Sequence, residues 1–427
     1  MSFLDLVTAR ETFDRLCDRY RADPLADLPS WVRDLKPKQL LSGPTVCTGT
    51  TSFAGVAVRD FLGRHGNLLG VVDDARGGDT VGGHPQLRSA DLATLLTRHP
   101  DLILVNTAMT EKGRSYFDRL AAQAGLRTLD ALQFHRALWA VDRTRMFESD
   151  PESTLVLDDP LYSFESTLAH QETLRKAEGY YQDTYSRITF YNLLLFRLTF
   201  DPTRIARVSV GNALAPYGPS SYIFNSSFFR FSDEETFVDA GAYRGETVSL
   251  FRQAVKGKFR KIHAFEPDSV NRAYCEARVL EEFGADARVE VHAAGLWDRG
   301  GELQLKPLDF GDFRRSGSYF VPSASRALGL ASTQTVPVVA LDEVVGDQPV
   351  TFLKLEIEGS EIPALRGARQ SILRGRPKLS LAAYHLPTDL FTLPAFVDEL
   401  GCGYTVHLCH HNDLGDTNTV CYAVPPI

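Results

Sequence analysis

One rhythm constrains the fold of this chain more than any other feature, and it runs twice. A short apolar run ends in a turn, an amphipathic helix follows, and the next apolar run begins. From Pro44 the segments PTVCTG, LLGVVDD and DLILVNTA read as strands, and TTSFAGVAVRDFLGRHG, ADLATLLTRHP and RSYFDRLAAQAG as helices. From Thr236 it restarts: TFVDAG, KIHAFEP, RVEVHAAG, TFLKLEIEG and PKLSLAAYH are strands with helices between them. GELQLKP and TVPVVAL can pair as a hairpin around a polar loop at 309–334, and YTVHLC with TNTVCYAV closes the chain as two antiparallel edge strands. Alternation at this spacing predicts α/β modules, each a mostly parallel sheet with helices on both faces. The expectation is two Rossmann-like, doubly wound modules joined by a helical bridge. A helical lead occupies 1–35, the first module 36–142, the bridge 143–225 and the second module 226–427. Asn212–Ser227 is turn-rich and reads as a boundary or binding loop.

Composition narrows the function classes. Lys and Arg number 46 against 54 Asp and Glu, a net charge of −8. A mildly acidic chain lacks the broad cationic face of a non-specific nucleic-acid binder. The six cysteines contain no CxxC pair and are too sparse for a disulfide framework. The longest apolar run, Leu193–Phe200, is too short for a bilayer and carries Arg197. The N-terminal stretch has no apolar signal-peptide core. The expected setting is cytoplasmic, with no nucleic-acid or membrane partner.

Three motifs in the second module carry chemistry. In VDAGAYRGET a strand meets a glycine turn and then a helix, with Asp239, Gly241, Tyr243 and Gly245 at the bend. This is not the dinucleotide GxGxxG. A carboxylate at Asp239 repels a diphosphate but suits a cation, and S-adenosylmethionine carries a sulfonium and an ammonium. In HAFEPD, Glu266 falls 27 residues after Asp239, where an acid ending the second strand accepts ribose hydroxyls. Pro267 and Asp268 read as helix-opening residues. In LKLEIEGSEIPALRGA, strand alternation puts Lys354, Glu356 and Glu358 on one face, bordering the ligand crevice.

The pieces FVDAGAYRGET, HAFEPD, VPVVALDEVV and FLKLEIEGSEIPALRGA, in that order, resemble the FkbM-type family of S-adenosylmethionine-dependent methyltransferases over residues of about 230–425. The family's run near Lys354 is K-I-D-V-E-G-A-E; here Glu356 replaces the aspartate and Ser360 the alanine. The resemblance implies a class I methyltransferase sheet, S-adenosylmethionine as cofactor, and methylation of a hydroxyl on a sugar, glycan or secondary metabolite. Asp239, Gly241, Tyr243, Gly245, Glu266, Pro267 and Trp297 are then the expected cofactor residues, Trp297 because it follows the third strand, where adenine lies in such folds. Glu358, His385, Lys354 and Glu356 are the expected catalytic residues. Glu358 or the Tyr384–His385 pair takes the hydroxyl proton, and His385 titrates in a useful range. Lys354 orients an acceptor oxygen or holds Glu356 charged. Arg314 and Arg315 offer a phosphate or carboxylate reader on a solvated loop.

Two other stretches invite ligands. His407, Cys409, His410 and His411 are read as a solvated edge strand, and no metal is expected. In the first module Thr48, Thr50, Thr51 and Ser52 precede a helix N-terminus suited to phosphate, and Asp73 and Asp74 end the next strand. VVDDARGGDTVGGHPQL is similar to the nucleotide-binding leading domains of sugar acyltransferases. A nucleotide or nucleotide-sugar ligand there, and a homo-oligomer, stay open as partners. The competing functions are an NAD or sugar-nucleotide enzyme centred on the first module, and a non-catalytic S-adenosylmethionine sensor.

Overall fold

A computed structural model describes residues 5–48, 53–74, 78–142, 160–210, 221–307, 318–321, 334–412, 415 and 417–426. The first sheet has six strands: β1 (Pro44–Thr48), β2 (Asn67–Val72), β3 (Thr80–Val81), β4 (His84–Leu87), β5 (Ile103–Asn106) and β6 (Arg127–Asp130). Their order is β3-β4-β2-β1-β5-β6, parallel except for the β3–β4 hairpin. Gly82 and Gly83, both with positive φ, form its two-residue turn. The sequence rhythm misses β3, β4 and β6. The first two sit in a glycine-rich stretch that hides their pairing, and β6 runs straight into the Ala131–Ala137 helix capped by Asp130.

The lead is only partly helical. The Leu6–Ala22 helix, capped by the Asp5 carboxylate, is followed by a 3₁₀ turn at Ser30–Asp34. Its Ala9, Phe13, Leu16, Cys17 and Tyr20 recur at helical spacing and are buried. Phe13 meets Tyr191 of the Thr184–Thr199 helix at 5.7 Å between ring centroids. That helix is buried on nearly every side from Ser186 to Leu198. An all-round apolar helix has to be enclosed, and this one joins the lead to the second sheet in a single core with Val71, Ile103, Leu353 and Leu381.

The second sheet has seven strands: β7 (Thr236–Ala240), β8 (Lys261–Phe265), β9 (Val289–His292), and, after a smaller sheet, β14 (Phe352–Leu355), β15 (Lys378–Ala382), β16 (Thr405–His410) and β17 (Thr419–Val424). Their order is β16-β17-β15-β14-β7-β8-β9, with β17 antiparallel to both neighbours. The smaller sheet comprises β10 (Gly295–Leu296), β11 (Gly301–Pro307), β12 (Ser318–Val321) and β13 (Gln334–Val339). β11 and β13 pair antiparallel as expected. β12 is an additional strand inside the stretch read as a loop, and Arg314 and Arg315 lie outside the described residues.

The β16 edge is covered by the bridge. Val406 N–H donates to Gln182 Oε1 at 2.6 Å, Leu408 N–H to Ser186 Oγ at 2.9 Å, and Val210 N–H to His410 O at 2.9 Å. An open strand edge is a pairing hazard, and this packing removes it. The same cover overturns the solvated reading of the histidine cluster. Cys409, His410 and His411 are buried; His410 Nδ1 meets Thr419 Oγ1, and His411 Nε2 meets the Tyr422 hydroxyl. His407 pairs with Asp183 at 2.7 Å.

Candidate active site

The chain leaves β7 in one direction across the sheet toward β8 and β9, and β14 in the other toward β15. The neighbouring ends of β7 and β14 are therefore the topological switch point, where open α/β sheets bind ligands. Asp239 and Lys354 are register partners across that seam. Both are buried, and Lys354 Nζ stands 3.0 Å from Asp239 Oδ1. The same ammonium donates to Ala240 O at 3.1 Å and Gly241 O at 2.7 Å. Two of its protons are thereby spent on the glycine turn. It also stands 3.6 Å from Glu356 Oε2. Burial pushes the Asp239 carboxyl up against the opposing pull of Lys354, while Asp239 and Glu356 raise Lys354 against its own burial. The 3.0 Å contact identifies a charged pair, so Asp239 faces Lys354 rather than an open crevice.

The turn itself is forced. Gly241 has φ +77°, and a Cβ there would lie 2.0 Å from Glu356 O. Tyr243 is also left-handed, at φ 50°. Its N–H donates to Glu266 Oε2 at 2.8 Å, and Asp268 N–H donates to Glu266 Oε1 at 2.9 Å. Each oxygen keeps a further lone pair, so the carboxylate still suits a vicinal diol such as ribose. Burial drives Glu266 up to about 7. Asp268 caps the Ser269–Phe283 helix, with Pro267 just before the cap rather than in the first turn. Gly245, φ +84°, precedes the Glu246–Ala254 helix. Trp297 follows β9 and the short β10, and its ring meets Phe320 edge-on at 5.6 Å.

β14 ends at Leu355, so the predicted alternation stops there. Glu358 and Gly359 take φ values of 54° and 90° and lift the chain off the strand. A non-glycine residue held left-handed marks a place where the surroundings impose the conformation. Glu356 Oε1 accepts from the Tyr222 and Tyr384 hydroxyls, each at 2.8 Å. Burial raises its carboxyl, but Lys354 and the two hydroxyls prevail and hold it below the ordinary value. Glu358 differs: burial dominates and raises it. His385 is enclosed by acids, with Nδ1 2.8 Å from Glu361 Oε1 and Nε2 3.6 Å from Glu358 Oε2. Burial opposes its charge, yet Glu361 and Glu358 lift it to about 10. The neighbouring carboxylates thus favour its charged form.

Sequence reading did not anticipate Tyr222, nor Glu361 and Asp389 as partners of His385. The turn-rich segment before Ser227 was the available signal for Tyr222, though its 211–220 portion lies outside the described residues. In the first module Thr50, Thr51 and Ser52 also lie outside them. Thr48 Oγ1 accepts from Thr107 N–H, and Asp74 accepts from Ser89 N–H and the Tyr116 hydroxyl. Asp73 N–H and C=O both bond the β4 segment.

The seven-stranded order with its antiparallel β17 and this switch-point site define a class I, S-adenosylmethionine-dependent methyltransferase. Residues 239–406 match the methyltransferase FkbM domain. The methyltransferase FkbM of Methylobacillus flagellatus KT is 25% identical, with a TM-score of 0.75 over 98% of this chain and 100% of its own. An rRNA methylase from Streptococcus thermophilus is 15% identical, at a TM-score of 0.32 over 50% of this chain and 99% of its own. A Streptococcus mutans protein solved with SAH is 13% identical, at 0.29 over 48% and 96%. No curated protein matches the chain. No helix among the described residues is long and apolar enough to cross a membrane.

Proposed function

We propose that this enzyme transfers a methyl group to a hydroxyl of a sugar, glycan or secondary metabolite, with Glu358 as the general base. The observation that carries the reading is the pair of unlike carboxylates beyond β14. Glu356 is held ionised by Lys354, Tyr222 and Tyr384, while Glu358 is desolvated and raised. A carboxylate raised towards neutrality takes a proton more effectively than an ordinary one. Unequal neighbours of this kind mark acid–base roles.

S-adenosylmethionine, when bound, supplies the methyl group. The chain's own residues bind, align and move a proton. Glu266 accepts the ribose hydroxyls, and Gly241, Tyr243 and Gly245 shape the turn that leaves room for the cofactor. Asp239 acts through Lys354, which fixes the Ala240 and Gly241 carbonyls; both are positioning residues. Pro267 orients the chain between Glu266 and its neighbouring cap. Glu358 receives the hydroxyl proton, and the His385 imidazolium, clamped by Glu361, fixes Glu358. Glu356 is an ionised acceptor for a second substrate hydroxyl. Alignment supplies much of the acceleration, and a base adds roughly 10²–10⁴-fold.

The test is a hydroxylated-acceptor library with a labelled methyl donor, run beside calorimetry with S-adenosylhomocysteine. Glu358→Gln should lose roughly 10²–10⁴-fold in kcat and keep its affinity for S-adenosylhomocysteine. Unchanged kcat would remove Glu358 from the base role, and methylation of amines alone would overturn the acceptor class.

A further inference from the structure

At the β9 edge of the seven-stranded sheet, opposite β16, lies a side-chain cluster that the transfer reaction does not use. His263 of β8 and Glu290 of β9 are register partners, and His292 follows on the same face. His263 Nδ1 stands 3.1 Å from His292 Nε2 and 3.6 Å from Glu290 Oε2; His292 Nε2 stands 3.8 Å from that same oxygen. The in-plane point equidistant from these three atoms lies about 2.0 Å from each, so an ion slightly out of that plane meets all three near zinc's bond lengths to imidazole nitrogen and carboxylate oxygen. The edges of this triangle also approach the ligand–ligand separation of a tetrahedral site, about 3.3 Å at those bond lengths.

We infer that His263 Nδ1, His292 Nε2 and Glu290 Oε2 form a binding site for one divalent transition-metal ion of the zinc, cobalt or nickel type, with water in a fourth position. Imidazole with one carboxylate is a donor set such ions take, whereas magnesium and calcium prefer all-oxygen sites. The donors are already close together. Lys261 holds the other oxygen of Glu290, leaving Oε2 towards the histidines. The two rings meet nearly head to head, with centroids 5.3 Å apart and 23° between planes, so each turns by about 40° to aim its nitrogen at a common ion. Glu290 and His292 are partly exposed, which gives an ion an entry path. Glu266 N–H donates to His292 O at 3.1 Å, so a bound ion braces the strand end beside the proposed ribose acceptor.

The inference is independent of the transfer reading and is tested with the metal alone. The full chain, stripped by chelator, is titrated with Zn²⁺ by calorimetry and with Co²⁺ by visible absorption. The expected result is one saturable site per chain, with the intense bands of four-coordinate Co²⁺. Affinity should fall at least tenfold in Glu290→Gln and His292→Ala, since even outer-shell losses cost roughly 10–100-fold. It should persist in His407→Ala, at the far edge of the sheet. Glu290 is half exposed, so its variant should fold, as circular dichroism would verify, and it decides the matter if the histidine variant does not. No saturable binding, or equal affinity in Glu290→Gln, overturns the site.

Discussion

Replacing Lys354 by methionine tests the seam between β7 and β14 directly. The side chain keeps its approximate length and loses its charge. Asp239 is then a fully buried carboxylate without its partner, and both groups are shielded from solvent, so no discount for screening applies. Removing one member of such a pair costs about 3–5 kcal/mol. The carbonyls of Ala240 and Gly241 also lose a charged donor, which falls within the upper part of that range. Urea denaturation at neutral pH should therefore show a loss of about 3–5 kcal/mol. The loss should shrink as pH falls, because an unpaired Asp239 escapes the penalty by taking a proton. Adding Asp239→Leu to Lys354→Met should recover part of the stability, since no buried charge remains. Affinity for S-adenosylhomocysteine should fall in both variants, because the glycine turn loses its brace. A single-variant loss below about 1 kcal/mol, the level of an exposed pair, would refute the reasoning.

Further outcomes follow from the same geometry. Burial raises Glu266 to about 7, so the unliganded chain loses stability as pH rises through that value, while affinity for S-adenosylhomocysteine increases as the accepting carboxylate forms. Calorimetry across that range should show the rise in wild type and a flat profile in Glu266→Gln. Gly241→Ala should cost about 1–3 kcal/mol from overpacking, because its Cβ collides with the Glu356 carbonyl, and should weaken S-adenosylhomocysteine binding with it. His385 is raised from 6.5 to about 10, so the stability it contributes is complete below 6.5 and is lost as pH rises to about 10. Asp389, raised to about 8, acts in the same alkaline direction. Thermal melts should decline over that window, and His385→Gln should decline less steeply; equal slopes would count against a charged His385.

The sequence by itself determined the architecture, because periodicity and turn chemistry are local. The strand–helix rhythm, the antiparallel closing pair, the helix start after Asp268 and the glycine turn at Gly241 were all legible from neighbouring residues. Glu266 was legible too, as an acid at a strand end. Short strands were not: β3 and β12 are defined by partners rather than by their own pattern. Tertiary structure alone decided which charges meet. Asp239 read as a ligand for a cation, but pairing β14 beside β7 brings Lys354 against it and turns it inward. His385 read as a titrating base, but the helix beginning at Glu361 and the left-handed bend at Glu358 surround it with carboxylates. Tyr222, far away in sequence, completes the Glu356 environment. Proton affinity depends on what lies within a few ångströms in space, and those neighbours come from separate segments, more than twenty residues apart around His385 and more than a hundred apart for Asp239–Lys354 and Tyr222–Glu356, separations that no local pattern encodes.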